Sequence, residues 1–122
     1  MNSLNPLSMN KTQRELLDRI LSYVDQHLAD PGLTPQQIAD GCNISLRHLH
    51  RIFSTTNTSV SQWITKRRLE QCWQDLAKTG QIAQTVTDIA FRWGFNDVSH
   101  FNRAFKRTFQ ITPSQHRKTA ES

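Results

Sequence analysis

Apolar residues recur at helical spacing through most of the 122-residue chain. Leu16, Leu17, Ile20, Leu21, Val24 and Leu28 form one broad stripe at that period. Thr12 with Glu15 predicts a capping box opening this first helix. Asp30-Pro31-Gly32 predicts its end, because proline disfavours a helical residue before it and glycine completes the turn. A second start signal follows in Thr34-Pro35-Gln36-Gln37, which combines an N-cap threonine, proline at the first helical position and glutamine at the third. That helix continues through Ile38 and Ala39 to Cys42. Asn43 takes the turn, since asparagine tolerates the left-handed conformation. Ser45 caps the next helix, with Leu49, Ile52 and Phe53 facing inward and Arg47, His50, Arg51 and Ser54 outward.

The same pattern returns later. Thr85 with Asp88 opens a short helix carrying Ile89 and Ala90, and Gly94 ends it with a left-handed residue. Asn96 or Asp97 caps a helix with Phe101 and Phe105 inward and Ser99, Asn102, Arg103 and Lys106 outward. Ile38 and Ile89 are 51 positions apart and Leu49 and Phe101 are 52 apart, so the second copy has one extra residue at its turn. A short helix, a tight turn and a helix that is apolar on one side and basic-polar on the other make a helix-turn-helix. Its second helix is shaped to enter a DNA major groove. Between the copies, residues 59–79 read as one longer helix with Val60, Trp63, Ile64, Leu69, Cys72, Trp73 and Leu76 apolar. Some 20 residues span about 30 Å at 1.5 Å each. That is close to the roughly 34 Å between successive major-groove openings, so two second helices in adjacent grooves are the expectation. Thr112-Pro113-Ser114-Gln115 starts a last short helix ending near Lys118.

The expected architecture is therefore all-α, with about seven helices. Residues 1–10 are a flexible tail or linker, and 11–58 the first helix-turn-helix subdomain. Residues 59–79 are a linker helix, 80–118 the second subdomain beginning with a loop at 80–84, and 119–122 a frayed tail.

Charge sharpens this picture. Fifteen Lys and Arg against ten Asp and Glu give a net +5, which favours a polyanionic partner. There is no acidic residue from Ile44 to Arg68, and Asp97 is the only one from Arg92 to Lys118. Such segregation suits one basic face. Cys42 and Cys72 follow no metal or redox spacing and read as small buried apolar residues. There is neither a signal-peptide pattern nor an apolar run near the roughly 20 residues that cross a bilayer, so no membrane is expected and the location is cytoplasmic, at the nucleoid.

Arg47, His50 and Arg51 are the candidates for base reading in the first groove, since arginine can bond guanine O6 and N7 together. Val98, Ser99, His100, Asn102 and Arg103 hold the corresponding surface of the second copy. There Asn102 suits adenine and Val98 a thymine methyl. Ser54, Lys66, Arg67, Lys106, Arg107, Arg117 and Lys118 are candidates for phosphate contact, which positions without specifying. The helix starts near Thr34, Thr85 and Thr112 offer further N–H groups to phosphate. Arg68 reads as structural, paired with an acid such as Asp40 or Asp88. Trp63, Trp73 and Trp93 suit core packing better than base stacking. His48 and His50 point to different sides of a helix, so neither a metal site nor any cofactor is expected.

With those residues in view, the chain resembles the DNA-binding domain of the AraC/XylS family of bacterial transcription regulators. The resemblance covers about residues 11–118. It is most specific in Asp88-Ile-Ala-x-x-x-Gly-Phe-x-Asp-x-Ser-x-Phe-x-Arg-x-Phe-Lys-Arg, followed by Thr112-Pro113 and Arg117, with Arg68-Leu69 in the linker helix. Three positions depart from the family's habit: Gln110 and Asn57 stand for glycine, and His116 for tyrosine. The resemblance implies seven helices in two helix-turn-helix subdomains joined by a rigid helix, and activation of transcription through contact with RNA polymerase. It also implies a small-molecule sensor domain outside this chain, as in most family regulators, and a phosphate or ion-pair role as the alternative for Arg103.

The expected function is sequence-specific binding of double-stranded DNA to regulate bacterial transcription, and not enzymatic. A non-specific nucleic-acid-binding helical module is the alternative. A DNA-alkylation repair fragment would need a cysteine cluster that Cys42 and Cys72 do not form.

Overall fold

The computed structural model describes residues 9–78 and 84–121, which form seven helices and, among those residues, no strand. In chain order these are α1 Lys11–Gln26, α2 Pro35–Gly41, α3 Leu46–Ser54, α4 Val60–Ala77, α5 Val86–Arg92, α6 Val98–Phe109 and α7 Pro113–Glu121. The chain divides into two compact units inside α4. The first is the described part of Met1–His27 with Gly32–Thr65, and the second is Leu28–Pro31 with Lys66–Ser122. The readings made for residues 1–8, for residue 79 at the end of the expected linker helix, for residues 80–83 of the expected loop and for Ser122 lie outside the described residues.

In the first unit, α2 packs on both α1 and α3. Leu17, Ile20, Val24, Ile38, Ala39, Leu49, Ile52, Phe53, Val60, Trp63 and Ile64 are buried there. The opening of α1 corrects the sequence reading. Asn10, not Thr12, is the N-cap, and its side chain accepts from the Gln13 N–H at 2.9 Å while the Gln13 side chain returns to the Asn10 N–H. Met9 is buried just before it, so this end of the expected flexible tail is ordered. The helix also stops at Gln26, short of Asp30-Pro31-Gly32. Leu28 is buried, but beyond the helix. The start of α4 holds a capping box that the sequence reading passed over, with Ser59 and Gln62 exchanging side-chain-to-backbone bonds.

In the second unit, α6 packs on α5 and α7. Its core gathers Leu69, Cys72, Leu76, Ile89, Ala90, Phe95, Phe101, Ala104 and Phe105, with Trp73, Trp93 and Phe109 partly buried against it. Trp73 lies in an aromatic stack, 3.5 Å from the ring of His116 and 4.5 Å from that of Phe109. His116, in place of the family's tyrosine, is buried and its Nε2 lies 3.0 Å from the Trp73 carbonyl oxygen. Trp93 gives its indole N–H to Asp75 at 2.8 Å, and Arg92 and Lys78 bond the same carboxylate. Burial pushes the Asp75 carboxyl up, but these donors outweigh it and hold the group below the usual carboxylate range. Helix α7 continues to Glu121, three residues past the expected end at Lys118, so most of the expected frayed tail is helical.

The two copies agree bond for bond at their turns. The Ile44 N–H bonds the Ala39 carbonyl at 3.0 Å, and the Phe95 N–H bonds that of Ala90 at 3.1 Å. The offset is still 51 at Phe95, whereas the N-caps Ser45 and Asp97 are 52 apart. Asn96 is therefore the inserted residue. Asn43 at φ 58° and Gly94 at φ 95° take the left-handed position, as expected. Gln110 caps α6 at φ 69°, so the family's glycine site keeps its left-handed geometry although glutamine occupies it. Asn57 has no positive φ and so needs no glycine.

Candidate nucleic-acid interface

Helix α3 is positioned by its own sequence. Ser45 Oγ accepts from the His48 N–H at 3.0 Å, closing the first turn after the Asn43 bend. Leu49, Ile52 and Phe53 then bury one face, and Arg47, His50, Arg51 and Ser54 are left exposed on the other. Positions i, i+3, i+4 and i+7 share a helix face, so the four side chains form one polar ridge. Ser54 spends its hydroxyl proton on the Arg51 carbonyl at 2.6 Å, which leaves its oxygen as an acceptor and makes it a poor phosphate donor in this conformation. A groove of about 360 Å³ opens beside His50 and Ser54, lined further by Phe53, Thr56, Asn57, Thr58, Ser59 and Gln62. Its lining joins the end of α3, the 56–59 loop and Gln62 of α4, a juxtaposition that helical periodicity does not predict.

Helix α6 repeats the arrangement. Asp97 Oδ1 accepts from the His100 N–H at 3.1 Å. Phe101, Ala104 and Phe105 bury the inner face, while Ser99, His100, Asn102, Arg103, Lys106 and Arg107 are exposed and Val98 is half-buried. The last turn of α6 carries Lys106 and Arg107, where the last turn of α3 has only Arg51. The ridge Arg47-His50-Arg51 of α3 is thus matched on α6 by Ser99-Asn102-Arg103, while His100 is exposed to one side of that ridge and Val98 is half-buried.

The remaining phosphate candidates are less uniform. Lys66 and Arg67 are half-buried, and Arg67 pairs with Glu70 at 2.5 Å. Arg117 is half-buried and donates to the Gln84 carbonyl, whereas Lys118 is exposed. Arg68 is structural as expected, but its partners are corrected. It donates from Nε to the Leu28 carbonyl at 2.9 Å and from Nη2 to the Asp30 carbonyl at 2.7 Å, rather than to the carboxylate of Asp40 or Asp88. Asp88 is used by the Thr85 capping box instead. Burial lowers the Arg68 pKa and the nearby Asp30 charge opposes that shift. Backbone carbonyls leave no mark in a sequence, so only the folded chain could reveal these acceptors.

Cys42 and Cys72 are both buried free thiols. Burial, with help from the Asp75 charge, pushes Cys72 up to about 12. Burial likewise raises Cys42, against the pull of Arg19. Neither thiol has the depressed pKa of a reactive cysteine. Among the described residues, no group of three His, Cys, Asp or Glu is placed to hold a metal, and no helix is long and apolar enough to cross a membrane.

Comparison with known proteins agrees with this geometry. A family model described as a helix-turn-helix domain matches residues 38–119. A transcriptional activator of Rhodococcus sp., NphR, is 36% identical over 104 residues, covering 85% of this chain and 30% of that protein. The chain thus spans about a third of the length of the curated relatives it matches. The crystal structure of a transcriptional regulator from Chromobacterium violaceum, of the AraC-type DNA-binding-domain proteins, is 26% identical with a TM-score of 0.80, covering 91% of this chain and 96% of that one. The C-terminal domain of AraT, a response regulator from Geobacillus stearothermophilus, is 28% identical with a TM-score of 0.76, covering 85% and 84%. Two capped helix-turn-helices, each turning one polar helix face outward, together with the family match across most of the chain, place this protein in the AraC family of helix-turn-helix DNA-binding domains.

Proposed function

We propose that this chain binds a specific double-stranded DNA sequence and thereby regulates bacterial transcription, with α3 and α6 each reading a major groove. The observation that carries this reading is the duplicated exposed ridge, Arg47-His50-Arg51 on α3 and Ser99-Asn102-Arg103 on α6, each held by a capped turn and an apolar back. On α3, Arg47 and Arg51 are the guanine readers and His50 an adjacent contact. On α6, Asn102 reads adenine, Val98 meets a thymine methyl, and Ser99, His100 and Arg103 complete the surface. Lys106, Arg107 and Lys118 neutralise phosphates, joined by Lys66, Arg67 and Arg117 where their present partners are exchanged for DNA. The relatives' names support activation as the direction of control. RNA polymerase contact, a small-molecule sensor domain outside these residues and residence on the nucleoid belong to the same reading.

Selection of bound duplexes from a random library, followed by salt-titrated affinity for the winner and a scrambled control, tests it. Two enriched sequence blocks and at least ~10³-fold preference for the winner are expected. Equal affinities falling steeply with salt would instead leave a non-specific nucleic-acid module.

A further inference from the structure

Residues 28–31 precede the first helix-turn-helix in sequence, yet they belong to the compact unit of the second. Arg68 holds them there through its bonds to the Leu28 and Asp30 carbonyls. Gly94 closes on the same point. A Cβ at Gly94 would lie 2.6 Å from the Leu28 carbonyl oxygen and 2.8 Å from Arg68 Cζ and Nε. Guanidinium, strap and turn thus meet at a separation that only glycine permits. The planar fork of arginine can serve two carbonyls at once, which a lysine ammonium on a flexible stem does not reproduce. Beyond this contact the Gly94 and Phe95 N–H groups close the end of α5, Phe95 is buried, and α6 begins at Val98. The first copy has asparagine at the equivalent turn position.

We propose that Arg68 is a positioning residue for the second recognition helix. It pins the Leu28–Pro31 strap against the Gly94 turn, and so fixes the exit of α5 and the start of α6. The effect on DNA rests on the assignment of α6 as a reader, whereas the effect on the turn does not.

Arg68→Ala and Arg68→Lys in the full chain test this in two ways. Without DNA, the amides of Gly94, Phe95 and His100 should exchange with solvent at least ~10-fold faster in Arg68→Ala, because bonds from a charged donor are worth that factor or more. Those of Cys42, Ile44 and Leu49 should keep wild-type protection. Arg68→Lys, which keeps the charge and loses the fork, should follow Arg68→Ala, and it carries both readouts if Arg68→Ala unfolds. Unchanged exchange at residues 94–100, wild-type behaviour of Arg68→Lys, or uniform loss over both copies overturns the proposal. With DNA, duplex selection should lose base preference in the block assigned to α6 by Asn102→Ala and retain it in the block assigned to α3 by Arg47→Ala. Equal loss from both blocks overturns it as well. If the wild-type chain enriches no duplex, the DNA reading fails, while the exchange result still decides whether Arg68 positions α6.

Discussion

Replacing Gly94 by alanine sets two costs against one gain. The residue sits at φ 95°, where an L side chain is strained by about 1–2 kcal/mol. The new methyl would also approach the Leu28 carbonyl oxygen to 2.6 Å, and that backbone atom is held by Arg68. Forcing such a contact apart costs about 1–3 kcal/mol. Alanine stiffens the unfolded chain, which returns roughly 0.4–1 kcal/mol. The net loss should be about 1–5 kcal/mol, a large share of the 5–15 kcal/mol typical of a whole domain. Urea unfolding followed by tryptophan fluorescence measures it as a lower midpoint at unchanged slope. The difference between Asn43→Gly and Asn43→Ala supplies the control, because position 43 is the equivalent left-handed site at φ 58° and already accommodates a Cβ. Subtracting that glycine-to-alanine cost isolates the steric part. A Gly94→Ala loss below ~1 kcal/mol, or one no larger than the glycine-to-alanine cost at position 43, would refute the argument from close approach.

Phe105 is fully buried with its ring 4.7 Å from Phe109 and 5.7 Å from Phe101, so Phe105→Ala should cost about 3–5 kcal/mol in the same assay. Arg47→Ala should relax preference at one position of a selected site at a cost of about 1–3 kcal/mol, read by binding to single-base variants. Lys106→Ala should weaken all sequences alike and reduce the salt slope by about one unit; an unchanged slope removes it from the phosphate contacts. Asp75, held below the usual carboxylate range, contributes stability above the unfolded pKa near ~4 and loses it as pH falls through its lower folded value. The urea midpoints of wild type and Asp75→Asn should therefore differ by a constant amount at neutral pH and converge in acid. A gap that persists in acid would show that the Asp75 charge is not what stabilises.

Most start signals were legible because a cap and its helix lie within four residues, although the Ser59–Gln62 box was not among them. Thr34, Ser45 and Thr85 cap where the pattern placed them, and Asp97 is the cap where the pattern left Asn96 or Asp97, because capping is a local contest between side chain and backbone. The failure at Thr12 is local too. Asn10 with Gln13 competes for the same helix start, and Met9 just before it is buried. Ends were less legible. Helix α1 stops at Gln26 before its stop signal, and α7 runs past Lys118, since no single residue type commands either end. Of the candidate interface, the ridges on α3 and α6 follow from periodicity alone, and the structure exposes those residues. The other cations could not be sorted in advance: Arg67 pairs with Glu70 and Arg117 with a carbonyl, choices set by which neighbours folding supplies.

The amino-acid order by itself determined the helices, their faces and the duplication, because 3.6-residue periodicity and capping act over one or two turns. It even recorded the one-residue insertion, which the hydrogen bonds then assign to Asn96. Only the tertiary structure decided that Leu28–Pro31 joins the second unit, that Arg68 is satisfied by two carbonyls, and that Gly94 is needed for space as well as for its φ. Those are contacts across about 40 to 65 positions of chain, made partly by backbone atoms that every residue carries. A group common to all residues leaves no signature in a sequence until folding brings it to its partner.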